Sequence, residues 1–133
     1  MTYTAQRNAI QTRFKTQFEA VYPAIPIVFD NLKNDKPVDS FVAVNILNGD
    51  SALRGLGATR LFRYAGVVSI DIFVPLKTGI KVAYQYADTV DGTFRGQQFS
   101  GLLFRASSRH DLGMDDNYWR VNISIPFQRD ELV

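Results

Sequence analysis

Gly55-Leu56-Gly57-Ala58-Thr59-Arg60 has the composition of a phosphate cradle. A dinucleotide loop needs G-x-G-x-x-G between a strand and a helix whose N-terminus meets the pyrophosphate. Here Arg60 stands where the third glycine belongs, and the residues after it alternate as a strand. The stretch therefore reads as a hairpin loop. A second cluster is His110, Asp111, Asp115 and Asp116 in RHDLGMDDNYW, whose imidazole and carboxylates are metal-ligand types. Its spacing fits no calcium loop, and such Asp, Gly and Asn density reads instead as a solvated turn before the last strand. Ser107 and Ser108 lie near His110 in sequence but lack the G-x-S-x-G elbow of a serine hydrolase. Phe62, Tyr64, Trp119 and Phe127 have the chemistry of a base-stacking platform, yet their place on apolar strand faces assigns them to the core.

The elements that must carry these residues follow from periodicity. Ile10, Phe14, Phe18 and Val21 recur at helical steps and predict an amphipathic helix over Thr4–Ala20, capped by a Thr at 2 or 4 and ended by Pro23 and Pro26. IPIVFDN reads as a minor strand, and NDKPVD, Asn34–Asp39, as a turn within the polar segment 30–39. Phe41–Leu47 and Leu61–Val74 are strands joined by the loop NGDSALRGLGATR. In the second, Phe62, Tyr64, Val68, Ile70, Ile72 and Val74 share the core face, opposite Arg63, Ser69 and Asp71. A second helix is predicted over Gly79–Thr89 with Thr78 as cap and Gly92 as stop. Strands near Phe99–Ala106 and over Tyr118–Gln128 complete the chain, the latter with Trp119, Val121, Ile123, Ile125 and Phe127 inward. One-faced strands with two amphipathic helices predict an α+β two-layer sandwich: a mixed, mainly antiparallel β-sheet with two helices packed on one face, in the order α-β-β-β-α-β-β.

The chain has 133 residues, within the range of one domain, so 1–133 is read as a single unit. Its 15 cations are nearly balanced by 13 anions and form no runs, which disfavours the clustered charge of a nucleic-acid grip. Ten of the cations are Arg, the cation favoured at protein interfaces. There is no cysteine, so thiolate chemistry and disulfides are excluded. No apolar run approaches the ~18 residues of a membrane-spanning helix, and the polar start predicts no leader and a cytoplasmic origin.

The strand Leu61–Val74, at ~3.3 Å per residue, spans roughly 46 Å if straight. A chain of this length packs to a diameter of about 36 Å. Either the strand overshoots its own core or Gly66 bends it. Arg54, Arg60 and Arg63 gather at that end, while acids collect at Asp111–Asp116 and at Asp130 and Glu131. Opposite charges at separate places suit a head-to-tail contact between identical subunits.

MTYTAQRNAIQTRF, RYAGVVSIDIFVP, LKTGIKVAYQYADTV and YWRVNISIPF together resemble the small tail terminator proteins of long-tailed bacteriophages, the lambda type among them. The resemblance covers nearly the whole chain as an order of elements. It implies a non-enzymatic virion protein without cofactor, at the head-proximal end of the tail and assembled in the host cytoplasm. Such a protein forms a homohexameric ring, caps the tail tube protein, stops elongation and presents a surface to head-completion or neck proteins. Genome DNA passes its lumen without specific binding. Carried onto this chain, it puts Arg54, Leu56, Arg60 and Arg63 at subunit or tube contacts and Asp111, Asp115 and Asp116 on the complementary side. Another neck or tail-completion protein of similar fold is the alternative, and a small soluble enzyme or ligand-binding domain the outsider.

Overall fold

The computed structural model describes residues 1–29, 39–55, 57–58, 60–115 and 117–132. Helix α1 spans Tyr3–Val21. Thr2 starts it, accepting the Ala5 N–H at 3.1 Å on its hydroxyl, which satisfies one of the free donors of the first turn. Its buried residues are Gln6, Ile10, Phe14 and Phe18, one face at steps of four, whereas Val21 is exposed. The apolar stripe thus begins with a polar residue that sequence reasoning did not place in the core. Each fully buried Phe on it contributes about 1.5–3 kcal/mol of transfer free energy.

Strand β1 (Ile27–Phe29) runs parallel to β2 (Phe41–Gly55), and β2 is antiparallel to β3 (Leu61–Pro75). The expected loop after Leu47 is therefore largely strand, with β2 reaching Gly55 through two register shifts, at Asn48/Ser51 and Leu53/Gly55. Each shift inserts an extra residue opposite β3, and such bulges hide a strand from alternation-based reading. Helix α2 (Ile80–Phe94) follows a 3-10 turn at Leu76–Thr78. Its N-cap is Gly79, in the left-handed region at φ +94°, rather than Thr78. It runs past Gly92 because Thr93 and Phe94 are buried and anchor a further turn. Thr93 back-bonds to the Thr89 carbonyl at 2.8 Å, and Arg95 pairs with Asp91 at 2.9 Å.

The expected strand near 99–106 resolves into β4 (Gln98–Phe99) and β5 (Leu102–Phe104). The presumed turn at 111–115 is instead strand β6 (Ser108–Asp115). The last strand, β7, spans Tyr118–Leu132, four residues beyond the expected end. The sheet order is β1-β2-β3-β7-β5-β4, with β6 on the same edge of β7 as β5 but nearer its start. Polar, glycine-containing β6 shows little apolar alternation, and only its ladder to β7 makes it a strand.

Both helices cover one sheet face. There Val68, Ile70, Ile72 and Val74 of β3 and Val121, Ile123, Ile125 and Phe127 of β7 join Ile10, Phe14, Phe18, Val90 and Phe94 in one core. The other face carries a stack of Phe41 on Phe73 at 4.5 Å with Tyr118 edge-on at 5.5 Å. Beside it Asp71 is buried, bonded by Arg120 at 3.0 Å and by Asn122 at 2.9 Å. Register aligns Asn45, Ser69, Ser124 and Ser108 in one row across β2, β3, β7 and β6. That row forms a polar belt on the helix-free face.

Candidate functional site

The arginines of the hairpin sit where β2, β3 and β7 extend past the helix layer. The last support from α1 is a polar clamp. Arg129 of β7, buried on the core face, donates from Nε to Gln6 Oε1 and from Nη1 to the Met1 carbonyl, each at 2.7 Å. Gln6 Nε2 in turn donates to Asn48 Oδ1 at 2.9 Å, and the Arg129 guanidinium lies 4.0 Å from the Tyr64 ring centre. Beyond this clamp, Leu61–Arg63 still pair with Asp130–Leu132, a run of about 10 Å at ~3.3 Å per residue. Leu53 and Leu132 are exposed there, as they must be once the helices end.

Arg54 and Arg60 are exposed on this extension. Arg63 is not free: Asp130 faces it across the ladder and holds it by two bonds, 2.8 and 3.1 Å. The hydrogen bond from Arg63, with Arg63's and Arg54's charges adding to it, holds the Asp130 carboxyl below its usual range. A depressed folded pKa means stability present above the ordinary aspartate pKa and lost as pH falls through the folded one. The pair is exposed, so the effect on stability is small. Carbon-detected NMR titration of Arg63→Ala should show the Asp130 pKa rising toward its ordinary value, and an unmoved titration would remove Arg63 as the cause.

At the opposite end and the opposite lateral edge lies β6. Asp111 accepts the Tyr84 hydroxyl at 2.9 Å, which pushes the Tyr84 hydroxyl above its usual range, and Arg109 stacks 4.5 Å over the same ring. Asp115 lies 3.8 Å from Arg120. His110 is exposed opposite Asn122, and the Ser107 hydroxyl is bonded to Asp91 rather than to His110. Among the described residues no His, Asp or Glu group is arranged to hold a metal ion, and no helix is long and apolar enough to cross a membrane. The residues after the GLGATR stretch form strand β3 and not a helix.

The family model for phage tail terminator proteins matches residues 6–127. The chain belongs to the phage tail terminator family. A solved structure 23% identical in sequence aligns over 97% of this chain and 96% of its own with a TM-score of 0.75, and so shares the fold. No curated protein matches the chain. Family membership makes this tail terminator homologue a structural component of the phage virion tail that interacts with other tail or neck proteins.

In this tail terminator homologue the residues singled out from sequence fall into two groups. Arg54, Arg60 and Arg63 share the hairpin end, and Asp111 and Asp115 share β6. Leu56 and Asp116 lie outside the described residues, as does most of the polar segment 30–39. Asp130, expected to belong with the separate acids, instead sits among the arginines. Reasoning from sequence missed Leu112 and Met114 of β6 and Leu47 of β2, all exposed large apolar residues. The signal was present in D-L-G-M-D, two apolar residues between carboxylates in a segment too polar to be core.

Proposed function

We propose that this protein assembles head to tail into a homohexameric ring that caps the tail tube, stops its elongation and offers the joining surface for head-completion or neck proteins. It would do so at the head-proximal end of the tail, after assembly in the host cytoplasm. The observation that carries this reading is the three-stranded extension beyond the Arg129 clamp, with Arg54 and Arg60 exposed on it, at the far end of the sheet from the carboxylates of β6. Two unlike patches at opposite ends suit a heterologous, head-to-tail contact, which propagates around a ring or along a filament. Arg54, Leu56, Arg60 and Arg63 then serve subunit or tube contacts, with Asp111, Asp115 and Asp116 opposite. The near balance of 15 cations and 13 anions supports a lumen through which genome DNA passes without specific binding. The role needs no catalysis, cofactor or membrane.

Arg60→Glu is the test. The side chain is exposed, so thermal unfolding should not move, while the association constant should fall about tenfold through charge reversal at a contact. Light scattering over a concentration series reads the constant, and electron microscopy of isolated tail tubes reads capping. A wild-type protein that stays monomeric and leaves tubes bare sinks the ring. An unchanged constant in Arg60→Glu removes the arginine end from the contact.

A further inference from the structure

On the helix-free face, where the extension leaves the core, a groove runs over Ala65, Val67 and Pro126, with Leu47 as one wall and Arg54 and Arg105 on its rim. Gly49 and Gly66 contribute backbone alone to its lining, and Ala52 and Ala65 little more. Leu47 is 59% exposed and stands opposite Val67 across the ladder, so the two apolar side chains adjoin on this face. Asp130 neutralises Arg63 within the chain, whereas no ion pair with Arg54 or Arg105 is seen among the described residues. Asp50 also lines the groove, so Arg54 and Arg105 outnumber one carboxylate on its rim, which is net positive around an apolar floor.

β6 has the complementary composition. Asp111-Leu112-Gly113-Met114-Asp115 presents Met114 at 72% and Leu112 at 50% exposure between two carboxylates, which have partners in their own chain, Tyr84 and Arg109 for Asp111 and Arg120 for Asp115, yet stay 38% and 43% exposed. The register shift between Asp111 and Gly113 leaves Leu112 as the extra residue of a bulge, and bulges re-aim side chains. Met is flexible enough to fill a trough of small residues, and both Met and Arg are enriched at protein interfaces. We infer that the occupant of the groove is the β6 strand of a second copy of this chain, Met114 and Leu112 lying against Leu47 and Val67 with Asp111, on the same face of β6 as Met114, against Arg54 and Arg105. The contact rests on the ring proposed above and names its two surfaces.

The chain has no cysteine, which allows a clean cross-linking test. Leu47→Cys and Met114→Cys are both at exposed positions, and a disulfide forms only where Cβ atoms come within about 4.5 Å. Mixed and mildly oxidised, the two single variants should yield one covalent heterodimer, and the double variant a ladder up to the closed assembly. Each single variant alone should yield none. Assembly seen by light scattering with no covalent product would overturn this contact and leave the ring standing. A Leu47→Cys homodimer would overturn it too, since that is an isologous contact. A double variant monomeric under reducing conditions and absent from tail tubes, with wild type behaving alike, would overturn the ring as well. Met114→Glu provides the second readout: unchanged melting and at least tenfold weaker association are expected, and unweakened association would count against the groove.

Discussion

Arg129→Ala should lower the unfolding free energy by about 3 kcal/mol and the melting temperature by roughly 10 °C, the largest loss expected of any charged residue in the chain. Arg129 is only 3% exposed, and it continues the inward alternation of Val121, Ile123, Ile125 and Phe127 where the apolar residues stop. Truncation leaves Gln6 Oε1 buried without its donor, at ~1–3 kcal/mol. It also removes the guanidinium from beside the edge-to-face rings of Tyr64 and Tyr3, 4.0 and 5.1 Å away, at ~0.5–2 kcal/mol. Glu131, 3.5 Å from the guanidinium and partly exposed, can return to water and adds little.

The network is coupled through Gln6, which accepts from Arg129 and donates to Asn48, so single losses should not add. Gln6→Leu alone leaves the buried Arg129 Nε–H without its acceptor. Combined with Arg129→Met it replaces both partners by apolar groups, which can be nearly neutral. Urea unfolding should therefore show the double variant at least ~1 kcal/mol more stable than the sum of the singles predicts. Strict additivity would mean that the clamp is two independent contacts. The functional consequence lies in position: the clamp, with the Met1 ammonium 3.7 Å from Glu131 just beyond it, ties the start of the chain to the sheet where the arginine-bearing extension begins, so loosening it should also weaken assembly.

The fold was legible wherever apolar periodicity was unbroken. Ile10, Phe14 and Phe18 marked α1, and Val121 to Phe127 marked β7, because burial on one face is the physical cause of both patterns. It was illegible where a ladder rather than burial defines the element. β6 and the outer half of β2 are exposed strands interrupted by bulges, and their side chains carry no alternation to read. Gln6 and Arg129 were missed for a related reason, since polar residues at core positions are recognisable only once their partners, 123 residues apart, are brought together. At the candidate site the arginine end was visible as composition. The intrachain capture of Arg63 by Asp130 depended on a register that no local signal sets.

Gly66→Val is expected to destabilise by about 3 kcal/mol, and Gly66→Ala by about 2, or roughly 8 °C for alanine. Gly66 raised the question of whether β3 bends there, and the ladder to β7 in fact runs through it without a register shift, pairing Gly66 with Phe127. The glycine is needed for space. A Cβ at this position would stand 2.6 Å from Phe127 Cζ and 3.0 Å from the Leu47 carbonyl oxygen. Neither neighbour yields cheaply, since the Phe127 ring is buried against Phe104 at 5.5 Å and the carbonyl belongs to the β2 backbone. Overpacking of this kind costs ~1–3 kcal/mol, more than the gain in strand propensity of at most ~1 kcal/mol. In a Phe127→Leu background the flat ring is gone, and the further cost of Gly66→Ala should fall below ~1 kcal/mol by urea unfolding. An equal cost in both backgrounds would place the clash on the Leu47 carbonyl instead, and then Gly66 would govern the β2 bulge just beyond it, where the extension begins. In either case the residue fixes how the base of the arginine-bearing strands meets the core, so variants here should lose assembly in proportion to stability, unlike Arg60→Glu, which should lose assembly alone.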